Sequence, residues 1–163
     1  MADTEQMTFD YVDLNQIDPS FSTLPEDMYT LRILKAEKLS YAKKLNGVPT
    51  GEDGQRLSIQ LSVVDHPSLS GRRLFESLFP SNFTFRVLRR IADNTGIQQE
   101  PGEPLEVWFQ RLTESQPALK LKVGFRTKRV QKAPGEWTTE VVLNDAGKPQ
   151  DNAVDWREMQ PAN

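Results

Sequence analysis

The stretch LKLKVGFRTKRVQK, residues 119–132, carries six positive charges and no carboxylate in a chain whose formal net charge is −3. Its apolar residues begin at alternate positions, Leu119, Leu121 and Val123, and Lys120 and Lys122 lie between them. Because successive strand residues point to opposite faces, this alternation predicts a half-buried strand with an apolar inner face and a cationic outer face.

A turn and a further strand are predicted after this stretch. KAPGEW, residues 132–137, supplies Pro134 and Gly135, and WTTEVVL, residues 137–143, resumes with β-branched and aromatic residues. The pattern predicts a hairpin with a basic outer face. The alternative is a solvated edge strand whose lysines only prevent unwanted strand pairing.

Charge is distributed unevenly along the chain. Residues 1–31 carry seven acids and no base, residues 32–132 hold eighteen bases against ten acids, and residues 133–163 hold two bases against six acids. A basic middle region attracts phosphates, and acidic ends temper that attraction or compete with it. The distribution therefore favours a nucleic-acid partner for the middle region.

Composition argues against most catalytic chemistry. The 163 residues include no cysteine and one histidine, His66, in a sequence typical of a loop, so thiolate metal sites and multi-histidine metal sites are excluded. The glycine-rich GVPTGEDG, residues 47–54, lacks the Gly-Lys-Ser/Thr ending of a phosphate-binding loop. No run of 18 apolar residues occurs, and the acidic residues 1–11, MADTEQMTFDY, are not expected to act as a signal peptide. We expect a non-enzymatic protein without metal or cofactor.

The order of predicted elements indicates the fold. Three strands are expected, in residues 28–41, 56–65 and 70–79, then helices in residues 81–96 and 103–114, then the strands described above. Five strands with a helical insertion between the third and fourth are the element order of the OB-fold, a mainly β, five-stranded Greek-key barrel. Residues 25–143 would form this domain, between an acidic N-terminal extension, residues 1–24, and an acidic C-terminal tail, residues 144–163. Four aromatic residues are expected in the core: Phe83, Trp108, Phe109 and Phe125.

Several of these segments resemble a group of bacteriophage proteins with an uncharacterised domain, often described as single-stranded-DNA-binding. The resemblance covers about residues 24–143 and is carried by LPEDMYTLRILKAE, QRLSIQLSVVD, GRRLFESLF, the following helix and LKLKVGF. It implies an OB-like core and an accessory role in phage DNA replication or recombination, in the cytoplasm of the infected bacterial host.

Binding single strands without sequence preference requires cations for the phosphates and exposed rings for the bases. The predicted rings are Tyr41, Phe75 and Trp137, each with core packing as the alternative. OB-folds bind ligands on strands 2 and 3 and on the 1–2 and 4–5 loops, here residues 42–56 and 128–137. The predicted cations are Lys43, Lys44, Arg56, Arg72, Arg73, Lys120, Lys122, Arg126, Lys128, Arg129 and Lys132.

The C-terminal tail holds three large apolar residues, Val154, Trp156 and Met159, among polar ones. They are predicted to anchor replication or recombination partners, as apolar residues of disordered segments commonly do. An inert tail and packing of Trp156 against the barrel are the alternatives.

The sequence as a whole predicts a protein that coats single-stranded DNA, and a homo-oligomer remains open. A β-rich virion or assembly protein is the alternative, and a metal-dependent nuclease is a weaker one.

Overall fold

The computed structural model describes residues 13–16 and 23–162 of the chain. The predicted N-terminal extension therefore lies mostly outside the described residues, although Leu24 is buried in the core. The elements are a short 3-10 helix at Leu14–Gln16, then β1 (Asp27–Leu45), β2 (Val48–Val64), β3 (Arg73–Leu78), α1 (Asn82–Thr95), α2 (Leu105–Ser115), β4 (Ala118–Phe125), β5 (Thr127–Ala133), β6 (Glu136–Val141) and β7 (Asn152–Pro161).

Five of the strands form one antiparallel sheet in the order β3-β2-β1-β4-β7. The prediction of a mainly β chain with helices between its third and fourth strands is confirmed. The alternating apolar residues of β1, β2 and β4 share the inner face, where Leu31 lies opposite both Val63 and Leu119. The predicted core residues Trp108 and Phe109 pack on the same side and are buried.

Helix α1 begins and ends as its sequence predicts. Ser81 Oγ accepts a hydrogen bond from the Thr84 amide at 3.1 Å, and Gly96 ends the helix in the left-handed conformation with φ 76°. The buried face contains Thr84, Val87, Leu88, Ile91 and Ala92.

The prediction that Phe83 is a core residue is wrong, because its side chain is 48% exposed. The buried helical stripe begins one residue later, at Thr84, whose hydroxyl donates to Phe79 O at 2.6 Å. Phe125, at the end of β4, is only half-buried.

Helix α2 covers an open edge of β1. A register shift between Ile33 and Lys35 marks the middle of this strand, and β4 pairs only with the part before it. Beyond that point Thr113 Oγ1 of α2 accepts from the Ala36 amide at 2.9 Å and donates to the Ala36 carbonyl at 3.1 Å. Just before the shift, Pro117 O, in the connection from α2 to β4, accepts from the Ile33 amide at 2.9 Å. The helix therefore satisfies backbone groups that no strand reaches.

The basic stretch is not a single strand as predicted. It divides at Arg126, whose amide donates to Asp151 O at 2.9 Å and whose carbonyl accepts from the Val142 amide at 2.9 Å. The part before Arg126 is β4, and the part after it, β5, pairs with β6 in a separate two-stranded ribbon. The apolar alternation ends at Phe125, so the later residues have no apolar face to bury against the sheet.

The predicted C-terminal tail is instead part of the domain. Strand β7 pairs with β4, and Val154, Trp156 and Met159 are 8%, 5% and 6% exposed. The prediction that these residues dock on partners is wrong, because they fill the core beside Leu121 and Val123. A strand that buries its apolar residues in the sheet leaves none of them accessible to another protein.

A side chain of β3 links the two edge strands of the sheet, β3 and β7. Among the described residues no backbone pairing joins these strands. Glu76, on the inner side of β3 opposite Ile59, accepts a hydrogen bond from the Val154 amide at 2.6 Å through Oε1. Within the described part of the chain, neither α-helix is long and apolar enough to cross a membrane.

Candidate nucleic-acid interface

The side of the sheet away from the core is polar and cationic. Residues directly opposite each other in neighbouring antiparallel strands have their side chains on the same side. One row runs across four strands: Arg73 lies opposite Ser62, Ser62 opposite Arg32, and Arg32 opposite Ala118. We call this side the outer face and define it by Arg32, Lys35, Arg56, Arg73, Phe75, Lys120 and Lys122.

Some cations of the outer face bond to neighbouring protein groups, and others make no ion pair with a described residue. Arg32 donates to Gln116 O at 2.9 Å, Lys35 pairs with Glu37 at 3.0 Å, and Arg56 donates to Ser77 Oγ at 3.0 Å. The charged groups of Arg73 and Lys120 make no ion pair with any residue that the structure describes. They are therefore available to an anionic ligand.

Lys122 has an acidic neighbour across the sheet. It lies opposite Asp155. Burial by itself raises the pKa of Asp155, but the hydrogen bonds from Arg157 and the charges of Arg157 and Lys122 together hold that pKa below its ordinary value. A phosphate at Lys122 would therefore lie near a carboxylate.

Two aromatic sites border these cations. Phe75 is 62% exposed and lies beside Gln60 on the outer face. Tyr41 lies opposite Gly54, where a Cβ atom would approach its ring to 2.5 Å, and its ring meets Phe79 edge to face with centroids 5.8 Å apart. The alternative that Phe75 and Tyr41 belong to the core is excluded, since both are exposed.

The predicted 1–2 loop is a long hairpin. Strands β1 and β2 continue to pair from Tyr41 opposite Gly54 to Leu45 opposite Val48, and the turn residues Asn46 and Gly47 have φ of 50° and 80°. These angles suit the tight turn that hairpins with Asn-Gly prefer. We call residues 39–56 the arm.

The arm carries both predicted lysines, Lys43 and Lys44, exposed near its tip. The acids Glu52 and Asp53 lie on the returning strand, with Asp53 opposite Ala42. The arm is therefore an ordered extension with mixed charge.

The β5–β6 ribbon carries the remaining predicted residues. Trp137 is 53% exposed, and the guanidinium carbon of Arg129 lies 4.9 Å from its ring centroid. Lys128 lies opposite Glu140, and Lys132 sits at a register shift. No ribbon residue belongs to the hydrophobic core, so the alternative of a packed Trp137 is excluded.

The arm and the ribbon leave opposite ends of the sheet. The arm follows the C-terminal half of β1, the ribbon follows the C-terminal end of β4, and β1 and β4 are antiparallel. The outer face thus extends between them. This arrangement brings the predicted Arg56, Arg73, Phe75, Lys120 and Lys122 onto one surface.

Two predicted cations belong neither to the outer face nor to the arm or the ribbon. Arg126 lies 3.8 Å from Asp151 and 4.0 Å from Glu76, so its guanidinium contributes to the junction between ribbon and sheet. Arg72 lies before β3, where its carbonyl oxygen accepts a hydrogen bond from the Val63 amide. Burial raises the pKa of Tyr29, and the positive charge of Arg72 opposes that shift.

Sequence reasoning missed Arg32, Lys35 and Phe79. The alternation of Tyr29, Leu31 and Ile33 already places Arg32 on the opposite face, and that signal could have found it. The position of Phe79 depends on its contact with Tyr41, which no local pattern indicates.

Acidic side chains give little sign of a metal site. Within residues 13–16 and 23–162 no group of three or more His, Asp or Glu side chains could hold a metal ion. Burial raises the pKa of the Glu76 carboxyl, while the hydrogen bond from Val154 and the charge of Arg126 act in the opposite direction. The groups that contact Glu76, the Val154 amide and the Arg126 guanidinium, hold strands together, so Glu76 belongs to the junction of β3 and β7.

No protein-family model matches this chain, and neither a curated protein nor a solved structure matches it.

Proposed function

We propose that this protein binds single-stranded DNA without sequence preference, through the outer face and the arm and ribbon beside it. The observation that carries the proposal is the row of Arg73 and Arg32 across the sheet, with Lys120 two residues beyond the row on the same side of β4 and exposed Phe75 beside it. Phosphates would follow the cations, and bases would stack on Phe75, Trp137 and the Tyr41–Phe79 pair.

We further propose that the sheet is an OB-like barrel with β7 as its fifth strand. The strand order β3-β2-β1-β4-β7, the helices before β4, and the Glu76 link between β3 and β7 support this. In an OB-fold the second and third strands and the 1–2 and 4–5 connections bind oligonucleotides. The arm is the 1–2 connection, and the ribbon lies in the connection between β4 and β7.

A single strand suits this surface better than a duplex. A broad sheet face with exposed rings offers a surface on which unpaired bases can stack, whereas the bases of a duplex are already stacked on one another. The resemblance of residues 24–143 to phage proteins supports a role in phage DNA replication or recombination within the host cytoplasm.

The proposal is tested by fluorescence anisotropy with labelled single-stranded and duplex oligonucleotides at two salt concentrations. We expect tighter binding to single strands and a steep loss of affinity as salt rises. Equal affinity for the two forms, or binding that salt does not affect, would overturn the proposal.

A charge-matched pair of variants assigns the surface. Arg73→Glu/Lys120→Glu should weaken binding and lower the slope of log affinity against log salt by roughly 1.4, since each lost phosphate contact on a single strand contributes about 0.7. Arg86→Glu/Arg89→Glu changes the net charge equally at exposed positions of α1, outside the outer face, the arm and the ribbon, and should bind nearly as the wild type does. Equal losses in both variants would mean that binding depends on net charge alone.

A further inference from the structure

We propose that residues 1–22, which we call the acidic segment, bind to the outer face of their own chain when no nucleic acid is bound. The acidic segment would then compete with nucleic acid for that face. The docking itself requires no nucleic acid, whereas the competition rests on the proposed function.

The acidic segment has the same two chemical features as the proposed ligand. It contains five carboxylates, no lysine or arginine, and three aromatic rings. The carboxylates belong to Asp3, Glu5, Asp10, Asp13 and Asp18, and the rings to Phe9, Tyr11 and Phe21. A surface that attracts phosphates by its positive charge and stacks bases on its rings attracts carboxylates and aromatic side chains by the same interactions.

The outer face keeps a surplus of positive charge when the neighbouring acids are counted. Six of its defining residues are cations, and three carboxylates among the described residues lie beside them, those of Glu26, Glu37 and Asp155. Glu37 is bound to Lys35 at 3.0 Å. Asp155 is bound to Arg157 at 3.2 Å. Arg73 and Lys120 make no ion pair with any described residue, so the face can bind further carboxylates.

The chain enters β1 from the ribbon end of the outer face. The Leu24 amide donates to Asn152 Oδ1 at 2.7 Å, and the Leu24 carbonyl accepts from Asn152 Nδ2 at 3.0 Å. Two residues later, Glu26 Oε2 lies 3.5 Å from the position that a Cβ atom on Gly124 would occupy. Gly124 shares the outer side of β4 with Lys122, so the acidic segment begins beside the surface that it is proposed to cover.

The acidic segment is long enough to cover that surface. From β4 to β3 the sheet spans three strand spacings of about 4.8 Å, roughly 14 Å in all. An extended chain covers about 3.3 Å per residue, so about five residues cross this distance. The acids of the segment can therefore reach both Lys120 and Arg73.

The described part of the acidic segment does not belong to the core. Asp13, Leu14 and Asn15 are exposed. The Asp13 carboxylate accepts a hydrogen bond from the Asn15 amide at 3.1 Å and makes no ion pair with a described residue. This carboxylate can therefore bind a cation of the outer face without breaking a contact of the core.

A nitroxide label in the acidic segment tests the docking without nucleic acid. The chain has no cysteine, so Thr4→Cys provides a single labelling site among the acids of the segment. At low salt the label should broaden the NMR amide signals of Arg73 and Lys120 more than that of Arg86 in α1. At about 1 M salt the difference should disappear, because the Debye length falls to about 3 Å. Equal broadening of the three signals at low salt, or none, would overturn the inference.

Neutralising acids in the full chain tests the competition. Three changes in the acidic segment, Asp3→Asn/Glu5→Gln/Asp10→Asn, should raise the affinity for single-stranded DNA about fivefold at low salt. Each exposed ion pair shifts an equilibrium by roughly 1.4-fold to 5-fold, so the loss of three should be measurable. The matched control neutralises three exposed acids on and between the two helices, Asp93→Asn/Glu100→Gln/Glu114→Gln, and should bind nearly as the wild type does.

The two neutralised variants separate docking from net charge. Equal gains in affinity would mean that net charge alone sets the affinity, and the inference would be overturned. A variant of the acidic segment that binds as the wild type does would overturn it as well. A protein that binds no oligonucleotide would overturn the proposed function, and the nitroxide measurement would still decide whether the acidic segment docks on the outer face.

Discussion

The link between β3 and β7 depends on one carboxylate, and replacing Glu76 tests how the two edge strands are held together. The side chain of Glu76 is 11% exposed, and its Oε1 accepts from the Val154 amide at 2.6 Å. Glu76→Ala leaves this amide without an acceptor at a half-closed edge, which should cost about 1–3 kcal/mol of unfolding free energy. Glu76→Gln keeps an amide oxygen in the same place and should cost less.

The two variants also differ in their dependence on pH. Burial raises the pKa of Glu76 above its ordinary value of 4.5, so the folded protein holds this proton more tightly than the unfolded chain does. The stabilising contribution is complete below the unfolded pKa and is lost as pH rises through the folded pKa. Gln cannot ionise, so the stability of Glu76→Gln relative to wild type should increase as pH rises from 4.5 toward neutrality.

Urea unfolding at several pH values, followed by circular dichroism, measures both effects. A Glu76→Ala variant as stable as wild type would refute the idea that the Val154 hydrogen bond holds the edges together. A relative stability of Glu76→Gln that falls with rising pH would show that the Arg126 ion pair outweighs burial.

Changes to β7 and to Trp137 test the fold and the site respectively. Removing residues 149–163 deletes β7 and should abolish the cooperative thermal transition. Trp156→Ala alone should lower the free energy of unfolding in urea by about 3–5 kcal/mol. A truncated protein that melts as the full chain does would contradict the assignment of β7 to the core. Trp137→Ala should lower single-strand affinity by about 1–3 kcal/mol without changing stability. Phe85→Ala, which alters a similarly exposed ring between α1 and α2, away from the outer face, serves as the control. Equal affinities for these two variants would remove Trp137 from the interface.

Most of the candidate site could be located from the sequence because it depends on strand alternation. The parity of Leu119, Leu121 and Val123 placed Lys120 and Lys122 outside, and the structure agrees. The same reasoning applied to β1 would have added Arg32. It could not show that Arg32 lies in one row with Arg73, because that depends on the register of three strands.

The errors have a common cause in long-range packing. The acidic composition of residues 144–163 suggested a tail, and only its spacing of Val154, Trp156 and Met159 hinted at a strand. Such a short apolar pattern is buried only if another part of the chain offers a strand edge with unpaired backbone groups, here the edge of β4. A local sequence window contains no information about that edge.

The sequence by itself determined which face of each strand and helix is apolar, the boundaries of α1, and the uneven distribution of charge. These properties follow from local periodicity and from capping, which act over a few residues. The tertiary structure alone decided that β7, not β6, completes the sheet, that the basic stretch divides at Arg126, and that Glu76 joins the edges. Strand partners are chosen by competition for backbone hydrogen bonds and buried area across the whole chain, and that competition is settled only when all the elements pack together.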